Sequence, residues 1–369
     1  VKLNRLAPAA VLTAAALTLT ACGGNSATGD QEASSGNDGQ QVSGNIVGIG
    51  ASSQKAAIQA WTTDFSAQNS GASINYSPDG SGAGRKQFLA GKADFAGSDA
   101  FMDEDEIAQS KKVCGENGAF EFPVYVSPIA IAFNLKGVDK LNLDAATAAK
   151  IFAGKITKWD DPAIAELNPE ADLPDTKITA VHRSDESGTT KNFTDYLNKA
   201  AEAEWPHEAA EEFPAEYGGE AAQGTDGVVS LVADTEGAIG YADASAISDD
   251  MGKAAIKVGE DFVEYTPEAA AKVVDESPVA EGRHEGDIAV ELKRDIDAEG
   301  AYPIVLVSYH IVCSSYDSQE KVDLVKAWEN FVISEEGQQS AADNAGSAPI
   351  SGEMRDKITK VLDQIEVKK

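Results

Sequence analysis

From Gln41 to about Ala132 the chain alternates short apolar runs with stretches whose apolar residues recur at helical spacing. The pattern predicts a strand around Asn45–Ile49, a helix over Gln54–Gln68, a strand at Ala72–Tyr76 and a helix over Gly84–Ala90. In the first helix Ile58, Trp61 and Phe65 fall at i, i+3 and i+7, a face turned to a core. Strands separated by such helices pair in parallel and build α/β layers. Two segments are strongly strand-like, FPVYVSPIAIAFN at 122–134 and YPIVLVSYHIV at 302–312, each with β-branched and aromatic residues and a proline near its start. Between them lie candidate helices at Ala145–Phe152, Asp160–Leu167, Thr189–Ala203 and Val228–Asp234, then the strand-like GAIGYAD at 237–243. Beyond them Leu324, Val325 and Trp328 mark a helix over Val322–Phe331, and a last helix is predicted from about Glu353 to Val367. The two long strands read as crossings between two lobes, the second inserted in the first. The acidic stretch AEAEWPHEAAEEFPAEYGGEAA at 201–222 holds two prolines that interrupt any long helix and reads as a solvated surface excursion.

A length of 369 residues suits two cores of ordinary size. With 30 Lys+Arg against 61 Asp+Glu, the net charge of -31 excludes nucleic acid as an expected partner. A local anion site is compatible with that charge, because salt screens distant surface charge within about 8–10 Å. No apolar run after the first twenty residues approaches the ~20 needed to cross a bilayer. Lys2 and Arg5 precede the apolar run Ala9–Leu19, the layout of a secretory signal over residues 1–21. The string Leu19-Thr20-Ala21-Cys22 resembles the lipobox of bacterial lipoproteins. Cys22 is therefore expected to carry lipid and to anchor an exported protein to the outer face of the cell membrane. Residues 22–45 contain almost no apolar residue and read as a flexible tether. Cys114 and Cys313 then remain as an even pair in an exported chain, where a disulfide is favoured over two separately buried thiols.

Three clusters of Gly, Ser and Thr stand immediately before amphipathic stretches: GIGASSQ (48–54), DGSGAGRK (79–86) and RSDESGTT (183–190). A helix N-terminus offers unsatisfied N–H groups and a positive dipole end, and small residues let an oxyanion approach the backbone. Each cluster is a candidate anion cradle, although Ser and Thr are also the ordinary helix caps. The third adds Arg183, whose guanidinium can grip an oxyanion in a two-pronged fashion, beside Asp185, which can orient it. Gly80, Gly82 and Gly84 are spaced G-x-G-x-G and lack the third glycine of the dinucleotide fingerprint.

The strings GIGAS, GSGAGRKQFLAGKADFAGSDA, KITKWDDPAIAELNP, HRSDESGTTKNFTDYL and GAIGYADA, in this order, resemble the phosphate-binding subunits of bacterial phosphate ABC transporters, from about Gly44 to the end of the chain. The resemblance implies the type II periplasmic-binding-protein fold: two α/β lobes, each a mixed β-sheet flanked by helices, joined by two hinge strands and closing on one phosphate. Lobe I would hold residues 46–125 plus 305–369, lobe II residues 126–304, and both Cys114 and Cys313 would lie in lobe I. It implies that Ser52, Ser53, Ser81, Asp99, Arg183, Ser187, Gly188 and Thr189 bind phosphate and that Asp185 supports Arg183. Ser53 stands where relatives often have an aromatic residue, and Glu186 where a small residue is expected. Asp99 then has a physical role. A carboxylate in a dry anion pocket is repulsive unless the ligand brings a proton to donate, which phosphate does at neutral pH and sulfate does not. Unpaired buried polar groups of this kind can reject an analogue by about 10⁴–10⁵.

The implied protein is a monomer without cofactor, metal or catalysis, which delivers inorganic phosphate to membrane permease subunits driven by a cytoplasmic ATPase. Two alternatives stay open: a sensor or receptor for another tetrahedral oxyanion, and a phosphate-ester hydrolase. His182, His207, His284 and His310 show no metal-ligand spacing, and there is no G-x-S-x-G elbow, which argues against hydrolysis.

Overall fold

The computed structural model describes residues 41–284, 286–296 and 298–369. The signal, Cys22 and most of the tether lie outside the described residues. The fold opens with β1 (Ser43–Gly50), α1 (Lys55–Gln68), β2 (Gly71–Ser77), α2 (Ser81–Leu89), β3 (Phe95–Ser98), α3 (Glu104–Cys114) and the long β4 (Ala119–Phe133). It continues through β5 (Lys140–Leu143), α4 (Ala145–Phe152), α5 (Pro162–Leu167), β6 (Thr179–Arg183), α6 (Gly188–Ala201), β7 (Glu220–Ala222) and α7 (Gly224–Asp234). After β8 (Ala238–Asp243), β9 (Gly252–Val258), β10 (Asp261–Val263) and α8 (Pro267–Asp275), the chain returns by β11 (Val305–Cys313). It ends with β12 (Ser315–Tyr316), α9 (Gln319–Ile333), α10 (Glu335–Ala345), α11 (Gly352–Asp363) and β13 (Glu366–Val367).

The main sheet runs β2-β1-β3-β11-β4-β8-β6-β7, and β9 joins β4 while carrying β5 and β10. Its first part is mixed, with β1 parallel to β2 and β3 and β11 antiparallel to β3 and β4. Its second part is mixed too, with β8 antiparallel to β4 and parallel to β6. β4 belongs to both: its residues up to Pro128 pair with β11, and Ile129–Phe133 pair with β8. Every residue of β4 is buried, which explains a continuous apolar run in place of alternation. Pro123 is tolerated because the register with β11 shifts between Ser308 and Tyr309, and a bulge is where a strand can hold a residue without an N–H. Two lobes result, each a mixed sheet with helices against it.

The α1 face is buried as its spacing requires, with Phe65 meeting Trp328 of α9 edge-on at 5.4 Å between ring centres. In the second lobe Phe193 of α6 stacks on Tyr241 of β8 at 4.2 Å. Each such ring removes on the order of 2–3 kcal/mol of apolar surface from water.

Several element boundaries change. α2 begins at Ser81 and not Gly84, because Gly80, at φ +103°, takes the cap position and Ser81 and Gly82 are already helical. Small residues with weak helix propensity hid that turn; α7 likewise begins at Gly224, ahead of Val228. α6 stops at Ala201, and α11 stops at Asp363, after which Glu366–Val367 pair with Ser315–Tyr316 in place of a helix to Val367. The acidic stretch does run over the surface, but it is pinned at two points: Trp205 is fully buried, and Phe213 stacks on His182 at 4.2 Å. Its charge masked two apolar anchors that no period connects.

Cys114, at the end of α3, is bonded to Cys313, at the end of β11, across a sequence separation of 199. Closing so long a loop constrains the unfolded chain, so replacing both cysteines by Ser should lower the urea-unfolding free energy by roughly 2–5 kcal/mol. An unchanged midpoint and slope would show that the bridge adds nothing to stability.

Candidate anion-binding site

The site forms outside the carboxyl ends of β1, β3 and β6, where crevices open in α/β sheets. The three small-residue clusters follow β1, β2 and β6, where the chain turns tightly and begins a helix. Asp99, directly after β3, is the centre. Its side chain is buried, and its Oδ1 accepts hydrogen bonds from Ser53 Oγ at 2.7 Å and Ser308 Oγ at 2.5 Å. Its Oδ2 accepts from Thr189 Oγ1 at 2.9 Å. Ser81 Oγ accepts from the Asp99 amide at 3.1 Å, which leaves the Ser81 proton free to donate elsewhere. A carboxylate offers about four lone-pair positions, so the hydroxyls leave room on Oδ2 for one more donor.

The loop at Arg183 closes over this centre from the other lobe. Arg183 is buried at the end of β6, and Asp185 takes its Nε at 2.8 Å and its Nη2. Asp185 is itself held by the Gly224 amide at 3.0 Å. Among the described residues Arg183 Nη1 has no hydrogen-bond partner, so one edge of the guanidinium stays available. At Gly188 the two sides approach closely: a Cβ there would sit 2.7 Å from Asp99 Cβ and 2.8 Å from Ser81 Oγ. Any larger residue would push the N-termini of α2 and α6 apart.

The structure therefore brings Ser53, Ser81, Asp99, Gly188 and Thr189 together, with Arg183 close enough for its charge to act on Asp99. Two residues are placed differently. Ser52 Oγ lies 2.9 Å from Thr225 Oγ1 and accepts from the Thr225 amide at 3.0 Å, tying the first loop to the start of α7. Ser187 caps α6, its Oγ accepting from the Thr190 amide at 3.2 Å. Glu186, where a small residue was expected, turns outward and meets Lys86 Nζ at 2.6 Å. Ser308 and Thr225 were not legible as site residues. The one available signal was a serine inside the otherwise apolar run of β11.

Burial pushes the Asp99 carboxyl up, while the bonds from Ser308, Ser53 and Thr189 and the Arg183 charge pull it down. For Asp185 burial also works upward, but the Arg183 bonds win and hold it below the usual range. Among the described residues no three His, Cys, Asp or Glu side chains cluster as metal ligands, and no helix is long and apolar enough to cross a membrane.

Facing loops of small residues, carried by two lobes on shared strands, define a two-lobe solute-binding protein. The family model described as the PBP superfamily domain matches residues 34–336. The chain belongs to this superfamily and, within it, to the family of the PstS phosphate-binding proteins. It is 35% identical to phosphate-binding protein PstS 3 of Mycobacterium tuberculosis over 99% of this chain and 100% of that one. To PstS 2 of the same organism it is 35% identical over 97% and 98%. A solved phosphate-binding protein from Stenotrophomonas maltophilia shares the fold, with a TM-score of 0.63 at 19% identity over 86% of this chain and 94% of that one.

A second buried carboxyl, Asp243 at the end of β8, accepts bonds from Tyr125 and Ser245 and is pushed up to about 7, chiefly by burial. A carboxyl raised in the folded state contributes stability below its unfolded pKa, about 3.9, and loses it as pH rises through the folded value. Asp243→Asn should therefore gain on the wild type by on the order of 2–4 kcal/mol between pH 4 and pH 8 in urea titrations. Parallel stability curves across that window would refute the assignment.

Proposed function

We propose that the chain is an extracytoplasmic receptor that captures inorganic phosphate between its lobes and hands it to membrane permease subunits of an ABC importer with a cytoplasmic ATPase. Membership in a family of solute-binding proteins supports this, as do relatives named for phosphate. The observation that carries it is the buried Asp99, its lone pairs mostly filled by hydroxyls, in a pocket that also holds Arg183. A negative group facing an anion is repulsive unless the ligand donates a proton to it. Phosphate does so through P–O–H, and the vacant position on Asp99 Oδ2 is where that proton fits.

On this reading Arg183, oriented by Asp185, binds the phosphate oxygens. Ser53, Ser81, Ser187 and Thr189 add hydroxyl or amide donors, Gly188 lets the backbone approach, and Ser52 acts through its bond to Thr225. We take lobe I as residues 46–125 plus 305–369 and lobe II as 126–304, with the hinge where β4 changes partner. The segment around Asp287 reaches back to pair with Glu121 of β4. The protein works as a monomer held to the membrane by lipid on Cys22.

Titration calorimetry of the ligand-stripped protein should give one phosphate per chain and no heat with sulfate at neutral pH. Binding of sulfate alone, or of neither anion, would overturn the reading. Arg183→Ala should weaken phosphate binding at least about thirtyfold. Asp99→Asn should admit sulfate, cutting a discrimination of about 10⁴ or more to within ~10²; retained exclusion of sulfate would remove Asp99 as the filter.

A further inference from the structure

The acidic stretch after α6 found no role in the site, yet it reaches the site's framework. Glu211 within it uses both ends. Its carbonyl accepts from the Ser187 amide at 3.0 Å, and its carboxylate receives Arg85 of α2 in a two-pronged pair, Nη1 to Oε1 at 2.9 Å and Nη2 to Oε2 at 2.7 Å. Arg85 is the fifth residue of the helix that starts with Ser81. Its Nη1 also donates to Ser98 Oγ at 2.9 Å, and Ser98 Oγ donates to Ala100 O at 2.5 Å, so the same guanidinium holds the turn that presents Asp99. Its Nε donates to Glu106 of α3 at 2.9 Å, a contact within its own lobe.

Among the described residues three ion pairs join α1 and α2 to facing elements of the second lobe, and they are not equal. Lys55–Asp226 leaves 48% and 66% of the two side chains exposed, and Lys86–Glu186 leaves 64% and 34%. Arg85–Glu211 leaves only 9% and 16%. Exposed pairs contribute little because water screens them and their side chains lose freedom, whereas a desolvated, doubly hydrogen-bonded pair is costly to break. Burial works to discharge Arg85, but its bonds to Glu211 and Glu106 outweigh that and raise its pKa. Glu106 and Ser98 lie on Arg85's own side of the cleft, so parting of the lobes would leave those bonds in place and return Glu211 to water.

We propose that Arg85 and Glu211 are positioning residues that form the clasp of the closed site. The pair is made as the lobes meet, aligns the Asp99 turn with the cap of α6, and sets how long the ligand is held. Neither residue touches the ligand. The inference rests on the phosphate reading above and adds the element that governs release.

The test is release of labelled phosphate from the full chain, chased with excess unlabelled phosphate after rapid mixing. It compares wild type, Glu211→Gln, Arg85→Met and the double variant, with thermal unfolding of each ligand-free protein. Glu211→Gln should speed release about tenfold to a hundredfold with little change in the association rate. The double variant should be no faster than the faster single variant, because both remove one interaction. Ligand-free melting temperatures should match between wild type and Glu211→Gln, as a contact made on closure requires, whereas a merely structural Glu211 would lower them. Glu211→Asp, which keeps the charge but shortens the reach, should fall between. Release within twofold of wild type in Glu211→Gln, additive effects in the double variant, or a fall in ligand-free melting temperature that tracks release would each overturn the clasp. Failure of the wild type to bind phosphate would overturn the function reading and the clasp with it, an outcome distinct from unchanged release in a wild type that does bind.

Discussion

The fold is organised around a carboxylate that has been taken out of water where two lobes meet. An ionised group so placed costs several kcal/mol unless donors replace its hydration. For Asp99 the donors come from three separate places: Ser53 after β1, Thr189 in α6, and Ser308 in β11. No single segment can satisfy it, so the local geometry exists only when the first loop, the second lobe and the returning strand are all in position. The bulge at Ser308/Tyr309 matters here, because an irregular register re-aims side chains, and Ser308 is the one that reaches Asp99.

Behind Ser308 the support continues inward. Gln54 Nε2 donates to Ser308 Oγ at 2.7 Å, Gln54 Oε1 lies 3.2 Å from His310 Nε2, and His310 Nδ1 lies 2.7 Å from Glu329. All of these side chains are buried. With Gln54 Nε2 donating to Ser308 Oγ, the Ser308 proton is committed to Asp99. The rigidity of the pocket floor thus comes from the first lobe's core. The disulfide ties the end of α3 to the end of β11.

The net charge of -31 and the proposed anion pocket are reconciled by distance. Surface carboxylates are screened within about 8–10 Å of salt water, whereas on the proposed reading Arg183 and the N-termini of α2 and α6 would act on the anion at contact. Several surface acids are also spent on bases of this chain. Glu186 pairs with Lys86 and Asp226 with Lys55, both across the lobes.

Much was legible in the residues alone because periodicity and small-residue clusters are local. The buried stripe Ile58, Trp61, Phe65, the two long apolar strands and the three Gly/Ser/Thr loops could be read directly, and the order of the motifs pointed to the family. The cysteine pairing was favoured on parity and export. The rest depended on contacts between residues far apart in the chain. Nothing near Ser308 shows that it faces Asp99, 209 positions away, and nothing near Ser52 shows that its hydroxyl is taken by Thr225. Trp205 and Phe213 looked like incidental apolar residues in an acidic run until the packing of α6 and His182 buried them. Local pattern decides which segments become strands, helices and cradles, since it reflects backbone geometry and side-chain burial within a few residues. Which hydroxyl serves which carboxylate is decided by how the lobes and the bulged strand converge, because a hydrogen bond is settled by ångström-scale placement that sequence spacing does not carry.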